Sequence, residues 1–568
     1  MIINKKLLAM CTGALLVGCT IAEQPTATTA AINSADVIYT NGTIFTVNDK
    51  QQWAQAFAID NGEFVAVGST EDVLKLQGEQ TNVIDLGGKL VMPGLIDAHI
   101  HLGSWYGAKM LEGKNLRFPQ GASIATMQEM LVDYAAKNPQ LAVITAENYT
   151  STLFVNGEPN KSVLDEIIPD RPVVIISDTE HEAWLNSAAL ARVNITADTK
   201  DPQNGTIIRD PKTGEPSGTL REAAAGLWGW AEMPTLTLEQ EVNGLKELLP
   251  YLNSLGLTSL KVQHAQLQEA QALKVLDDNN ELSMRFSLGW TLLSPLEVKT
   301  EETLREIIAN RGDFNSDLIN PDFIKINIDG TPTGTAFLFE PYEGTDSYGD
   351  VFVAEDQLAD YIAEYDVLGL GATFHVMGDA GVHRVINAIE AVKKRNGSLK
   401  ARHQIAHSTM IKAEDLQRIV DLGIVAEFSP PDLIFDHPAS SIVEGAIGAK
   451  RMEQYSPMKQ LVDLGGKAVI ASDGPLFWSP PLAVLAKMSR RVYPDGKTMS
   501  MAQVVKSMTL DAAYILNNDK AVGSIESGKH ADFIVVDRNI FEIKAEEAAK
   551  AEVLQTFIGG ESVYQKAQ

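Results

Sequence analysis

Cysteine is nearly absent from this 568-residue chain: Cys11 and Cys19 are the only two, and both lie in the first twenty residues. That excludes a disulfide framework, a cysteine-ligated zinc or iron–sulfur site and a cysteine nucleophile from the body of the protein. Positive charge is also scarce, with 47 Lys+Arg against 74 Asp+Glu and a formal charge of −27. A chain this acidic does not attract a phosphate backbone, so nucleic acid is excluded as a partner. The acidity forms no long run of like charge and spreads over a solvated surface. No apolar segment reaches the roughly 20 residues of a membrane span. Walker loops, Gly-x-Ser-x-Gly elbows and dinucleotide fingerprints are missing too. Two fragments mislead. His181-Glu182-Ala183-Trp184-Leu185 opens like a zincin helix but ends on leucine. Ser456-Pro457-Met458-Lys459 follows Lys212-Thr213-Gly214, the wrong order for a penicillin-binding enzyme.

What remains is a globular chain, 45% hydrophobic, long enough for one large domain and a smaller one. Its start reads as an address. Lys5 and Lys6 precede an apolar stretch from Leu7 to Gly18, and Leu16-Val17-Gly18-Cys19 resembles the bacterial lipoprotein cleavage box. The resemblance implies a signal peptide over 1–18, lipidation of Cys19 and a flexible Thr/Ala-rich tether over 19–34. Thr20 is not the aspartate that holds such proteins at the inner membrane of enteric bacteria. The expected location is the cell envelope, on the outer membrane facing the periplasm, with the lipid anchor as the sole membrane contact.

Both ends of the remaining chain, 35–90 and 520–568, read as short strands with Asn-Gly turns at Asn41-Gly42 and Asn61-Gly62. They suggest one small β-sandwich built from both termini. Between them, over 91–519, eight apolar runs alternate with helical patterns: Leu90–Asp97, Leu257–Val262, Met284–Gly289, Phe323–Ile328, Gly371–His375, Gln404–His407, Gly423–Phe428 and Lys467–Ser472. Eight β-then-α units suggest an α/β fold, a (β/α)8 TIM barrel with function at the C-terminal strand ends and a large insertion at about 104–250.

Chemistry-bearing residues gather at those ends. His99 and His101, two residues apart on a strand, share a face and can reach one ion. His375 ends the fifth run, His407 the sixth, and Asp473 follows the eighth. Neutral imidazole and carboxylate suit zinc and similar divalent cations. Such a cation lowers the pKa of its water to about 7, and a neighbouring carboxylate can pass the proton to a leaving amine.

Pro93-Gly94-Leu95-Ile96-Asp97-Ala98-His99-Ile100-His101, followed in order by His375, His407 and Asp473, resembles the metal motif of the amidohydrolase superfamily. Phe323-Ile324-Lys325-Ile326-Asn327-Ile328-Asp329-Gly330-Thr331, Glu182–Leu190 and Gly214–Ala224 resemble its YtcJ-like members. The resemblance covers about residues 35–560. It implies a ligand set of His99, His101, Lys325, His375, His407 and Asp473. It also implies carbon dioxide as the source of a carboxylated Lys325, one or two divalent cations, zinc first among them, and Asp473 as the catalytic proton carrier. The implied reaction is attack of metal-activated hydroxide on a small-molecule N-substituted amide, formamide or cyclic amide. Two alternatives stand beside it: a mononuclear deaminase or cyclic-amide hydrolase with Lys325 unmodified, and a non-catalytic binding or scaffold protein. A homodimer is the default assembly.

The chain departs from the subgroup at the second strand end, Lys261-Val262-Gln263-His264, where an acidic residue is usual, and at the sixth, where a glutamate usually precedes the histidine. His181 and His264 are expected to face substrate. His383, His403, His437 and His530 read as structural or solvated, Asp379 as a loop brace, and Trp228 and Trp230 as packing of the insertion.

Overall fold

The computed structural model describes residues 34–567, apart from 112–113, 120, 155–156, 298, 431–437 and 476–478. The expected signal peptide, Cys19, most of the tether and His437 lie outside the described residues.

Eight strands form one parallel sheet in chain order: β1 (Leu95–Ile100), β2 (Leu257–Ala265), β3 (Arg285–Leu293), β4 (Ile319–Asn327), β5 (Gly371–Val376), β6 (Gln404–His407), β7 (Val425–Phe428) and β8 (Ala468–Ile470). Nearly every residue of these strands is buried, because helices cover the outside and side chains fill the inside. The sheet curls back on itself. Asp473 N–H donates to the His99 carbonyl and His101 N–H to that of Gly474, both at 2.9 Å. This is the TIM barrel, closed at the edge where the metal motif sits.

One sequence expectation changes here. The run Leu90–Asp97 is two strands, not one. Leu90–Pro93 pairs antiparallel with Phe533–Val536 in the terminal β domain, and β1 begins only at Leu95. Gly94 lies at the break, where a Cβ would come within 2.3 Å of the Thr258 side chain. A larger residue could not pass that close to β2.

The two chain ends meet in a six-stranded sheet, ordered Glu561–Gln565, Val553–Ile558, Phe533–Val536, Leu90–Pro93, Thr43–Phe45 and Trp53–Ala54. A second sheet comes from the N-terminal segment alone: Glu63–Gly68, Ala56–Asp60, Val37–Thr40 and Asn82–Asp85. Aromatic rings fill the space between them. Phe533 and Phe557 stack at 4.3 Å, and Tyr39 and Phe57 at 4.9 Å. Arg285 at the start of β3 grips Asp532 with two bonds of 2.7 and 3.2 Å, so a buried ion pair ties this domain to the barrel.

The insertion carries a sheet of its own. Leu116–Arg117, Ile144–Tyr149 and Val173–Ser177 run parallel, and Glu182–Leu185, Pro216–Glu222 and Gly205–Arg209 continue the sheet antiparallel. Among the described residues, no helix is long and apolar enough to cross a membrane.

Candidate metal centre

The C-terminal ends of β1, β4, β5 and β6, with the loop after β8, bring the expected ligands into one cluster, buried except at His101 and Asp473, which are partly exposed. His99 Nε2 lies 3.2 Å from Asp473 Oδ1 and 3.3 Å from Lys325 Nζ. His101 Nε2 is 3.3 Å from the same Asp473 oxygen. On the far side, His407 Nε2 is 2.9 Å from His375 Nδ1, and His407 Nδ1 is 3.9 Å from Asp473 Oδ2. The sequence places these groups, and the backbone bends to aim them. Asp473 (φ 55°) and His407 (φ 69°) hold the left-handed conformation that non-glycine residues avoid, a cost typical of sites that fix geometry.

The electrostatics favour ligand-ready protonation states. Burial and the neighbouring Lys325 hold His99 well below the usual imidazole range, and burial with His407 and His181 does the same for His375. Burial brings His407 down to about 4. Burial alone would raise Asp473, but His99, His101 and His407 outweigh it and keep the carboxylate well below its ordinary value. Burial lowers Lys325 to about 8, against the pull of Asp473 and Glu427. His101 is the exception: burial would lower it, but its contact with the Asp473 carboxylate outweighs burial and raises it. Neutral imidazoles at His99, His375 and His407, an ionised carboxylate and an amine with a lowered pKa are groups that a divalent cation coordinates.

A metal fits these residues on geometric grounds as well. The donor atoms of His99, His101 and Asp473 all lie within 4.8 Å of one another. His375 Nε2 is buried without a hydrogen-bond partner, and two imidazole nitrogens face each other at the His375–His407 contact.

Sequence reasoning missed the groups that support this set. Glu427 on β7 is fully buried and accepts from His99 Nδ1 at 2.8 Å, which turns Nε2 toward the cluster. Lys261 on β2 is also fully enclosed, donating to Thr373 Oγ1 and Gln404 Oε1 at 2.9 Å each. Burial and repulsion from Lys325 lower it to about 7. In the sequence they show only as an acidic and a basic residue inside otherwise apolar barrel strands, with no spacing that ties them to the histidines. Asp329 accepts backbone N–H from Phe337, Met377 and Gly378 at 2.8–2.9 Å and fastens the loops after β4 and β5.

The remaining expected residues sort clearly. His181 reaches in from the insertion, its ring centroid 5.4 Å from that of His375. His264 stacks on His101 at 5.8 Å and bonds Thr291 at 3.0 Å. His403 is structural, its Nε2 3.3 Å from Asp366, and His383 pairs with Asp415 at 3.0 Å. His530 lies at the surface near Glu63. Asp379 accepts the Phe339 N–H and braces that loop. Trp230 departs from expectation. Its indole donates to the Glu180 carbonyl at 3.1 Å, and it helps line a cavity of about 370 Å³ with His101, His264 and Glu180. It walls the mouth of the site because the insertion folds over the barrel and not beside it.

A TIM barrel with His and Asp ligands at its C-terminal strand ends and a β domain at its flank defines the class of metal-dependent barrel hydrolases. Residues 82–564 match the model of the amidohydrolase family, and the chain belongs to that family. It is 25% identical to the N-substituted formamide deformylase of Arthrobacter pascens, over 94% of this chain and 98% of that one. It is 27% identical to the YtcJ protein of Bacillus subtilis (strain 168), over 93% of this chain and 99% of that one. Among solved structures, an uncharacterised metal-dependent hydrolase from Pyrococcus horikoshii OT3 shares the fold with a TM-score of 0.68 and 20% identity, over 90% of this chain and 99% of that one.

Proposed function

We propose that this hydrolase opens a C–N bond outside the standard peptide backbone, in an N-substituted amide, a formamide or a cyclic amide. The observation that carries the reading is the joint convergence of His99, His101, Lys325, His375, His407 and Asp473 at one end of the barrel. Support for the bond type comes from the relative named as an N-substituted formamide deformylase.

These six residues would hold one or two divalent cations, zinc first among them. When bound, such a cation polarises a carbonyl and acidifies water near neutral pH. The chain supplies the rest. Asp473, kept ionised among three imidazoles, is placed to accept a proton and return it to the departing nitrogen. Glu427 fixes the tautomer and direction of His99. The Lys325 amine, lowered to about 8, is neutral often enough to attack carbon dioxide. That step forms an N–C bond, releases one proton and leaves a carbamate with two oxygen donors.

A second reading keeps Lys325 unmodified and uses one cation on a deaminase or cyclic-amide hydrolase. The compact trio of His99, His101 and Asp473 favours it. Metal analysis of the chain from Thr20 onward, expressed with zinc and bicarbonate, separates the two. Two metals per chain in the parent and fewer in Lys325→Ala are expected for the carbamate centre. One metal in both supports the second reading, and none in either removes both.

A further inference from the structure

We propose that Glu222 is a positioning residue of the active site: it holds His181 against the metal cluster and so makes the insertion a working part of the catalytic machinery. This rests on the hydrolase reading above.

Glu222 Oε2 lies 2.8 Å from His181 Nδ1, and the two side chains are only 4% and 12% exposed. With Nδ1 committed to the carboxylate, Nε2 is the nitrogen left for a ligand. The ring faces His375 and lines a cavity of about 440 Å³ together with Arg221, Thr331, Thr335 and Phe154.

The carboxylate is gripped from the barrel as well as from the insertion. Its Oε1 accepts from Thr335 Oγ1 at 3.1 Å, and its own backbone N–H donates to the His181 carbonyl at 2.9 Å. Gly330, in the loop after β4, makes room for it: a Cβ there would stand 2.5 Å from Glu222 Oε1. The backbone turns left-handed at Glu222 itself (φ 50°) and at Glu180 (φ 66°), the residue before His181. Two strands of the insertion sheet, Glu182–Leu185 and Pro216–Glu222, keep the pair in register. A mere fastening of the insertion to the barrel needs the Thr335 bond. It does not need a histidine committed through Nδ1 and turned to the ligand cluster.

The test uses the zinc-loaded chain and the fastest-cleaved member of a panel of N-aryl and N-alkyl formamides, N-substituted amides and cyclic amides. Kinetics and zinc content are measured for His181→Asn, Glu222→Gln and the double variant. Each single change is expected to lower kcat/KM by about tenfold or more at parental zinc content. The double variant should fall within about twofold of His181→Asn, as for residues that act as a unit. The downfield His181 Nδ1–H proton resonance, assigned by its loss in His181→Asn, should move in Glu222→Gln. Multiplying effects, parental kcat/KM in Glu222→Gln, lost zinc in that variant or an unmoved resonance each overturn the proposal. If Glu222→Gln does not fold, Thr335→Val carries the test, with a smaller loss of the same kind expected and parental behaviour overturning it. A parent that binds zinc but cleaves no amide or formamide sinks the hydrolase reading and this inference together. An active parent with unaffected variants sinks this inference alone.

Discussion

Glu427 sits 328 residues from His99 in sequence and 2.8 Å from it in space. Its carboxylate is buried, and burial pushes its pKa up, so the fold retains a costly group. The return is a histidine with one tautomer and one direction. Glu427→Ala is expected to weaken zinc binding by about 10–100-fold, the usual effect of losing such a partner. Competition with a chromogenic chelator would measure it, and unchanged affinity would refute the role. The ligand candidates could be picked out of the sequence because His99-x-His101 at a strand end has a defined spacing and His375, His407 and Asp473 close other strands. Glu427 and Lys261 could not. A single charge within Val425-Ala426-Glu427-Phe428 has no spacing to betray its partner, and only the closed barrel brings it to His99.

At the level of elements, the barrel strands stood out in the sequence because strands buried on both faces form continuous apolar runs. The insertion sheet did not. Its short strands mix parallel and antiparallel pairing and carry polar residues such as Glu182 and Arg221 that point into the site or pair with one another. The break at Gly94 was hidden for a related reason: the run stays apolar across it, and the change of partner from Phe533–Val536 to β2 divides it. Asp366 shows how loops are pinned between elements. It ends the helix Glu355–Asp366 and accepts the backbone N–H groups of Lys400 and Ala401, each at 2.9 Å, as well as a bond from His403. Burial would raise this carboxyl, but the bonds from His403, Ala401 and Lys400 outweigh it and hold it below its ordinary 3.8. A carboxylate depressed in the folded state stabilises above the unfolded pKa and loses that contribution as pH falls through the folded one. Urea unfolding should therefore show Asp366→Asn less stable than the parent at pH 6, with the gap narrowing as the pH drops below about 4. A gap independent of pH would contradict this account.

For the whole molecule, the decisive feature is that the flanking β domain belongs to neither end of the chain alone. Phe533 and Phe557 pack with Tyr39 and Phe57, and Thr556 Oγ1 donates to the Asn253 carbonyl at the end of the helix Leu238–Ser254. Arg285 joins this domain to β3 through Asp532. Removing residues 553–568 is expected to destabilise the barrel along with the β domain, lowering its melting temperature or leaving the chain insoluble. Thermal unfolding followed by circular dichroism would check this, and a truncated chain that melts like the parent would show the two parts to be independent.

The same architecture sets a clock on biosynthesis. The sheet that contains Thr43–Phe45 also needs Val553–Ile558, which leaves the ribosome more than five hundred residues later. The early strands find Trp53–Ala54 and Leu90–Pro93 soon after synthesis, but at about 5–20 residues per second the sheet waits from roughly half a minute to nearly two minutes for its C-terminal strands. During that interval Ile44 and Phe45 have no finished core to enter. The nascent chain therefore carries this half-built core for that whole interval, and the sheet is complete only once Phe533–Val536 and Val553–Ile558 have joined it.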